Sequence, residues 1–544
     1  MTKATLYYNG QILTMDSSCP HPEAVAVVNG RIAGVGDVKT MKNIVGEGGR
    51  FVDLEGKTMM PGFIDGHSHF PSGGMNRMYS ADLAVDSVAE AVERLKAQTV
   101  RPRPSEWVVG FNYDEQCVCE RRFLTLAELD EACPDKPLFF RHVSGHTGMA
   151  NSIALAMAGI TRDTPDPVGG AIGRDEHGNP NGLLSGIPAQ SLVRRLIPQY
   201  TMEELKAALV EESCTYASYG ITTAHGGPAF SPMDMELGYK VTEILVQCAK
   251  DGSLPLRTVI LIRASDISQL SPYATPVPGT DLSGNHKVTL GGVKFVSDGD
   301  PRDRTGFFSA PYPALPGETE PYYGKETWSA EKLTAAILPM HKAGWQIAVH
   351  ANGDAAIDNV LDAFAAVQRV CPRPDARHLV IHAQYIRKDQ LLRMRSLGAY
   401  PCFFISPLWF WDHIHAQNVG DERVEDFCPC GDAERMGIPF NLHSDCPITP
   451  VTPLLQVQTA VTRVSKEGVL RGRHQAASLY AALRAITIDA AFMNFEEGIK
   501  GSITPGKFAD FTLLDKNPLQ VSPDTIKDIQ VMQTIVDDES VFTR

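Results

Sequence analysis

Residues 61–70 read PGFIDGHSHF. The run GFID at 62–65 is short and apolar apart from its last residue, the pattern of a strand covered on both faces. His67 and His69 follow at once. In extended backbone, alternate side chains point the same way, so the order H-S-H sends both imidazoles to one side. Two nitrogens so placed can grip one ion at about 2.0–2.1 Å. An HxH pair alone is a weak signal, and its weight depends on what the rest of the chain supplies.

Working outward from that strand, the chain alternates short apolar runs with amphipathic stretches, the pattern of parallel βα units. The seven further runs are GITTAH (220–225), LRTVILI (256–262), GGVKFVSD (291–298), WQIAVHA (345–351), HLVIHAQ (378–384), AYPCFFI (399–405) and IPFNLHSD (438–445). Helical stretches such as SAEKLTAAILPMHKAG and AAIDNVLDAFAAVQRV lie between them. Eight such repeats predict an α/β fold, a (β/α)8 TIM barrel. The first two strands are separated by about 150 residues, far more than a βα loop requires. Residues 72–200 are therefore expected to form a large insertion after barrel strand 1, lying over the barrel mouth. The gap between the two strands carries the helical patterns SVAEAVERLKAQTV, TLAELDEA and MEELKAALVEESCTYASYG, among Gly- and Pro-rich loops.

Both ends of the chain read differently. TLYYNG, QILTM, EAVAVVNG, RIAGVG and RFVDLEGKTMMPG open the sequence as short strands, with Asn9-Gly10 and Asn29-Gly30 as hairpin signals. GSITPGK, ADFTLLD and VMQTIVDDESVFTR close it in the same style. The expectation is a small β-sandwich from residues 1–58 plus 500–544, around a barrel domain of 59–499.

Active-site groups of such barrels sit at the C-terminal ends of the strands. There the sequence places His67 and His69, then Lys294 on the fourth strand, His350 on the fifth, His382 on the sixth and Asp445 on the eighth. Singly, each has a plain structural reading, such as a lysine snorkelling at a strand edge or a satisfied core histidine. Together they form a ligand set. Burial lowers a lysine pKa, and a neutral amine can take up carbon dioxide as a carbamate that bridges two ions.

The composition agrees with an enzyme acting on small molecules. The 544 residues are 43% hydrophobic and 21% charged, with a dispersed net charge of −14, which argues against nucleic acid or an anionic membrane as partner. The start of the chain lacks the pattern of a signal peptide, and no apolar run reaches the ~20 residues needed to span a bilayer. Eleven cysteines without a secretory signal suit a reducing, cytoplasmic setting. The CxC pairs Cys117/Cys119 and Cys428/Cys430 lack zinc-ribbon spacing and read as incidental.

The motifs PGFIDGHSH, RHVSGHTGMANSIAL, GGVKFVSDG, VHANGDAAID, IHAQ and LHSDCPITP, with the tail AITIDAAFMNFEEGIKGSITPGKFADFTLLDKNPL, resemble the amidohydrolase superfamily over essentially the whole chain. Within it, the likeness is to the YtcJ-like and N-substituted-formamide-deformylase-like subgroup. The resemblance implies two Zn2+ ions per chain. His67 and His69 hold the first, His350 and His382 the second, carbamylated Lys294 bridges both, and Asp445 touches the first. Other divalent ions suit the same donors. It further implies hydrolysis of a C–N bond in an amide, N-acyl or N-formyl amine by metal-activated hydroxide, with Asp445 as general base and then acid.

His146 and Asn151, in the best-matching segment of the insertion, are expected to shape the substrate pocket, the alternative being a capped helix start. The segment SPLWFWDHIHAQNVGDER departs from the subgroup, as does Asn352 after the fifth-strand His-Ala pair. Trp409, Trp411, His413 and His415 form either a distinct substrate-pocket wall or an aromatic packing layer. Two other readings stand beside the amidase: a mononuclear deaminase of heterocycles, and an inactive scaffold of the same fold. A homodimer is the default assembly for an enzyme of this kind.

Overall fold

The computed structural model describes residues 3–100, 106–143, 145, 147–167, 169–226, 235–270 and 277–544. They divide into two compact units, Met1–Pro71 with Leu209–Arg544, and Ser72–Ala208.

The larger unit is built on eight parallel strands: β1 Phe63–Ser68, β2 Ile221–Gly226, β3 Arg257–Arg263, β4 Val288–Val296, β5 Ile347–Ala351, β6 Leu379–His382, β7 Tyr400–Phe403 and β8 Asn441–Leu442. Each pairs with its sequence neighbour in an unbroken parallel series from β1 to β8. All eight runs read from the sequence are strands of this sheet. The last is shorter than the eight residues expected, pairing only over Asn441–Leu442, and Asp445 beyond it has a φ of 54°, a left-handed turn. Helices follow the strands. Asp354–Val370, after β5, buries Ile357, Val360, Leu361, Phe364 and Val367 at the three- and four-residue spacing of one helix face.

The sheet closes at its upper rim. Asp445 N donates to His67 O (3.1 Å) and His69 N to Cys446 O (2.8 Å), joining the end of β1 to the residues after β8. The approach requires glycine on β1: a Cβ on Gly66 would stand 2.4 Å from the Asn441 side chain. Gly226 has the same role between β2 and β1, where a Cβ would lie 1.9 Å from Ser68 O.

Both chain ends build two further sheets. One orders Arg31–Gly36, Ala24–Val28, Ala4–Tyr8 and Arg50–Asp53. The other orders Gln11–Ile12, Thr58–Pro61, Phe511–Leu514, Val531–Val536 and Glu539–Thr543. Tyr7, Val25 and Val27 of the first share one buried cluster with Met59, Phe511 and Ile535 of the second. Asn29-Gly30 makes the expected hairpin, both residues having positive φ. Asn9-Gly10 does not. The chain leaves the first sheet there and Gln11–Ile12 pairs in the second, so the turn changes sheets instead of reversing a strand. GSITPGK is likewise irregular, and the C-terminal strands begin at Phe511.

Arg257, at the start of β3 and 1% exposed, ties the C-terminal sheet to the barrel. Its guanidinium donates to both oxygens of buried Asp510 (2.7 and 3.0 Å), to Asp537 and to His286 O (3.2 Å), with the Phe508 ring 3.6 Å beneath it.

Ser72–Ala208 has a six-stranded sheet of its own, ordered Ala171–Arg174, Pro180–Ser185, Thr147–Ala150, Leu138–His142, Val108–Tyr113 and Ala81–Asp82. This sheet is additional to the helices the sequence suggested. Those helices are present at Val88–Thr99 and Leu126–Ala132, capped by Ser87 and Thr125. No helix among the described residues is long and apolar enough to cross a membrane.

Replacing Arg257 by leucine leaves Asp510 buried without its cation. Chemical unfolding should show a loss of about 3–5 kcal/mol. An unchanged unfolding midpoint would remove this pair from the account of the fold.

Candidate metal centre

The barrel rim gathers the polar strand ends. His67 lies within β1 and His69 just beyond it, with ring centroids 5.5 Å apart. Lys294, on β4 and only 4% exposed, places Nζ 3.1 Å from His67 Nε2. His382 ends β6 in a left-handed conformation (φ 74°), and its ring centroid is 4.4 Å from that of His350 on β5. Asp445 stands with Oδ1 3.6 Å from His67 Nε2 and 3.4 Å from His69 Nε2. Left-handed backbone is unfavourable for residues with a Cβ and concentrates at functional sites. Here it occurs at His382 and at Asp445.

The structure adds three residues that the sequence reading left out. His443 on the β8 side is fully buried, and its ring centroid is 5.1 Å from His382 and 5.5 Å from His67. Its signal was in plain view, since H-S-D at 443–445 repeats the alternation of H-S-H at 67–69. His225, ending β2, bonds Gly66 O through Nδ1 (2.7 Å). Asp298, after β4, accepts from the backbone N–H groups of Phe307 (3.0 Å), Asn352 (3.0 Å) and Gly353 (2.8 Å), and lies 3.4 Å from His350 Nε2. It thereby fixes the loop that follows His350.

Burial sets the charge state of the centre. It draws the Lys294 ammonium down to about 7 and holds His67 and His382 well below the ordinary histidine range. His443 falls to about 3 and His225 to about 4 for the same reason. Neutral imidazoles are the form that ligates metal. For Asp445, burial works against the charge, but the hydrogen bond with His69 and the groups around it outweigh that, so the carboxyl stays below its usual value.

These groups suit a divalent ion. Among the described residues, His67 Nδ1, His382 Nδ1, both nitrogens of His443, His225 Nε2 and Asp445 Oδ1 are buried without a hydrogen-bond partner. Each such atom costs about 1–3 kcal/mol unless something binds it. Two clusters, His67/His69/Asp445 and His382/His443/Asp445, have ligand atoms within 4.8 Å of one another. Nitrogen and carboxylate donors are the zinc set, and other first-row divalent ions accept them. A third cluster, Asp114/Glu115/His142, lies in the inserted unit. Its two carboxylates overcome the effect of burial and raise His142 to about 9, and Glu115 pairs with it at 2.9 Å.

The residues expected in a substrate pocket fare differently. His146 lies outside the described residues. Asn151 takes the alternative role, that of a helix cap. It caps helix Ser152–Met157, accepting from Ala154 N (3.0 Å) and Leu138 N (2.9 Å), while Nδ2 donates to Cys133 O (3.0 Å) and Lys136 O (2.8 Å). Buried and fully bonded, it has no hydrogen-bonding capacity left for a substrate. His415 is buried with Nδ1 2.9 Å from the Tyr385 hydroxyl, and the Arg302 guanidinium lies 4.4 Å above Trp411. Trp409 is half-buried and His413 exposed.

A parallel barrel with histidine, lysine and aspartate at its strand ends defines a metal-dependent hydrolase of the TIM-barrel type. The Amidohydro_3 model, described as the amidohydrolase family, matches residues 50–542, and the chain belongs to that family. It is similar to YtcJ of Bacillus subtilis (strain 168), 28% identical, with 99% of each chain covered. It is also similar to the N-substituted formamide deformylase of Arthrobacter pascens, 27% identical, covering 97% of this chain and 96% of that one. Among solved structures, an uncharacterized metal-dependent hydrolase from Pyrococcus horikoshii OT3 is 25% identical with a TM-score of 0.77, covering 96% of this chain and 99% of the other.

The centre is braced from β1. Buried Asp65 accepts from Ser444 N (2.9 Å) and from the Ser444 hydroxyl, beside Asp445. Ser444→Ala removes the hydroxyl bond and should weaken metal binding about 10–100-fold, the usual cost of losing an outer partner. Competition with a chromogenic chelator measures this, and wild-type affinity would exclude the bracing role.

Proposed function

We propose that this hydrolase cleaves a C–N bond in an amide, N-acyl or N-formyl amine. The observation that carries the reading is the single buried carboxylate of Asp445 standing in both histidine clusters at the barrel rim. The name of the N-substituted formamide deformylase relative supports the substrate class. His67 and His69 with Asp445 would hold one cation, His350 and His382 a second, and Lys294 as a carbamate would lie between them. Zinc suits this donor set. When bound, such cations acidify water and draw charge from a scissile carbonyl.

The chain's own residues do the rest. Lys294 titrates near 7, so a substantial fraction is neutral at physiological pH, the form that reacts with carbon dioxide. Asp445, ionised, accepts the proton of the attacking water and returns it to the departing nitrogen. The C–O bond forms as the C–N bond breaks, leaving a carboxylic acid, or formate, and an amine. The cysteines of the described residues are free thiols, which supports a reducing compartment and a cytoplasmic enzyme.

Asp445→Asn should lower kcat on a responsive N-acyl or N-formyl amine by about 10²–10⁴-fold, the usual weight of a general base. Elemental analysis should find the metal largely retained, and a near-wild-type rate would take Asp445 out of the mechanism. Lys294→Ala should lose metal and activity together, with partial recovery in short carboxylates that imitate the carbamate. Elemental analysis of the wild-type protein should give about two ions per chain. One ion would favour the deaminase reading, and none the scaffold.

A further inference from the structure

We infer that His443 is a metal ligand, sharing a cation with His382 and Asp445. The inference rests on the metal-dependent reading above and changes the composition of its second position.

The junction of two triplets supplies the first argument. His67-Ser68-His69 and His443-Ser444-Asp445 run side by side, joined by the bonds from Asp445 N to His67 O (3.1 Å) and from His69 N to Cys446 O (2.8 Å). His443 and Asp445 both bring a ligand atom to the cluster that holds His382. The nitrogens of His382 and His443 and an oxygen of Asp445 lie within 4.8 Å of one another, a span that small side-chain adjustments bring to one ion.

The second argument is the unmet bonding of the imidazole. His443 is 0% exposed, and neither ring nitrogen has a hydrogen-bond partner among the described residues. Buried polar side chains nearly always have one. His225, His341 and His378 each have at least one. His225 bonds Gly66 O at 2.7 Å, and His378 accepts from Ile347 N at 3.0 Å while bonding His341 at 2.9 Å. The ring is also held in place, because Phe404 stacks on it at 5.1 Å with planes 14° apart. A fixed, neutral, unbonded imidazole beside a carboxylate and a second imidazole is a ligand in waiting.

The third argument concerns His350. Its Nε2 is 3.1 Å from Asn352 Nδ2, 3.3 Å from Gly299 O and 3.4 Å from Asp298. One nitrogen is thus engaged by the loop, and the ligand atoms that cluster with His382 come from the β8 side, from His443 and Asp445. Asp445 then belongs to both metal positions.

The test uses the full-length protein, stripped with chelator and titrated with Co2+. Wild type should bind cobalt, and His443→Gln should bind one cobalt at least about a hundredfold more weakly and change its visible d–d spectrum. Cobalt stoichiometry, affinity and spectrum equal to wild type in a folded His443→Gln protein would overturn the inference. A wild type that takes up no cobalt would instead overturn the metal-dependent reading beneath it. Should the variant fail to fold, an anomalous-scattering map of cobalt-loaded wild-type crystals answers the question without a mutation. A His443 nitrogen at bonding distance from cobalt, about 2.0–2.2 Å, supports the inference, and one beyond about 3 Å rejects it.

Discussion

The arrangement depends on the backbone junction between the end of β1 and the residues after β8. Two hydrogen bonds make it, Asp445 N to His67 O and His69 N to Cys446 O, and both involve candidate ligands. Closing the barrel and assembling the centre are therefore one event. Had the strands stayed apart, His67 and Asp445 would belong to opposite edges of an open sheet. Gly66 permits the approach, because any side chain there would collide with Asn441.

That junction also concentrates the structure's polar cost in one place. The strands are almost wholly apolar toward their neighbours, yet the rim carries several buried nitrogen and oxygen atoms without partners among the described residues. A protein interior tolerates such atoms poorly. Their clustering, with neutral imidazoles around one carboxylate, is what a cation relieves. Asp65 and Asp298 meet the opposite need. Asp298 accepts from three backbone N–H groups and Asp65 from the N–H and hydroxyl of Ser444, and each holds in place a loop that carries a ligand candidate.

The barrel was legible in the sequence because its strands are short, largely apolar runs, most with a polar residue at or next to their end, from GFID to IPFNLHSD. The strand-end positions of His67, Lys294, His350, His382 and Asp445 followed from that pattern. His443 carried less weight because it lies just beyond the two-residue strand Asn441–Leu442, where a single histidine reads equally well as a buried core residue. The sheet of Ser72–Ala208 escaped for a related reason. Two of its strands, Thr147–Ala150 and Ala171–Arg174, are only four residues long and rich in small side chains, whereas its helices announce themselves by caps and period. Asn9-Gly10 has hairpin chemistry, but Gln11 and Ile12 find their partners in the other sheet, a choice made by tertiary packing.

The pairing of Thr58–Pro61 with Phe511–Leu514 has a consequence for the protein as it leaves the ribosome. The partner strand emerges about 450 residues after the first, a delay on the order of a minute at ordinary rates of synthesis. Throughout that time the early strand offers an open edge, a template for pairing with other nascent chains. Thr58–Pro61 cannot complete that edge until Phe511–Leu514 has been made, so its pairing waits on a segment far along the chain.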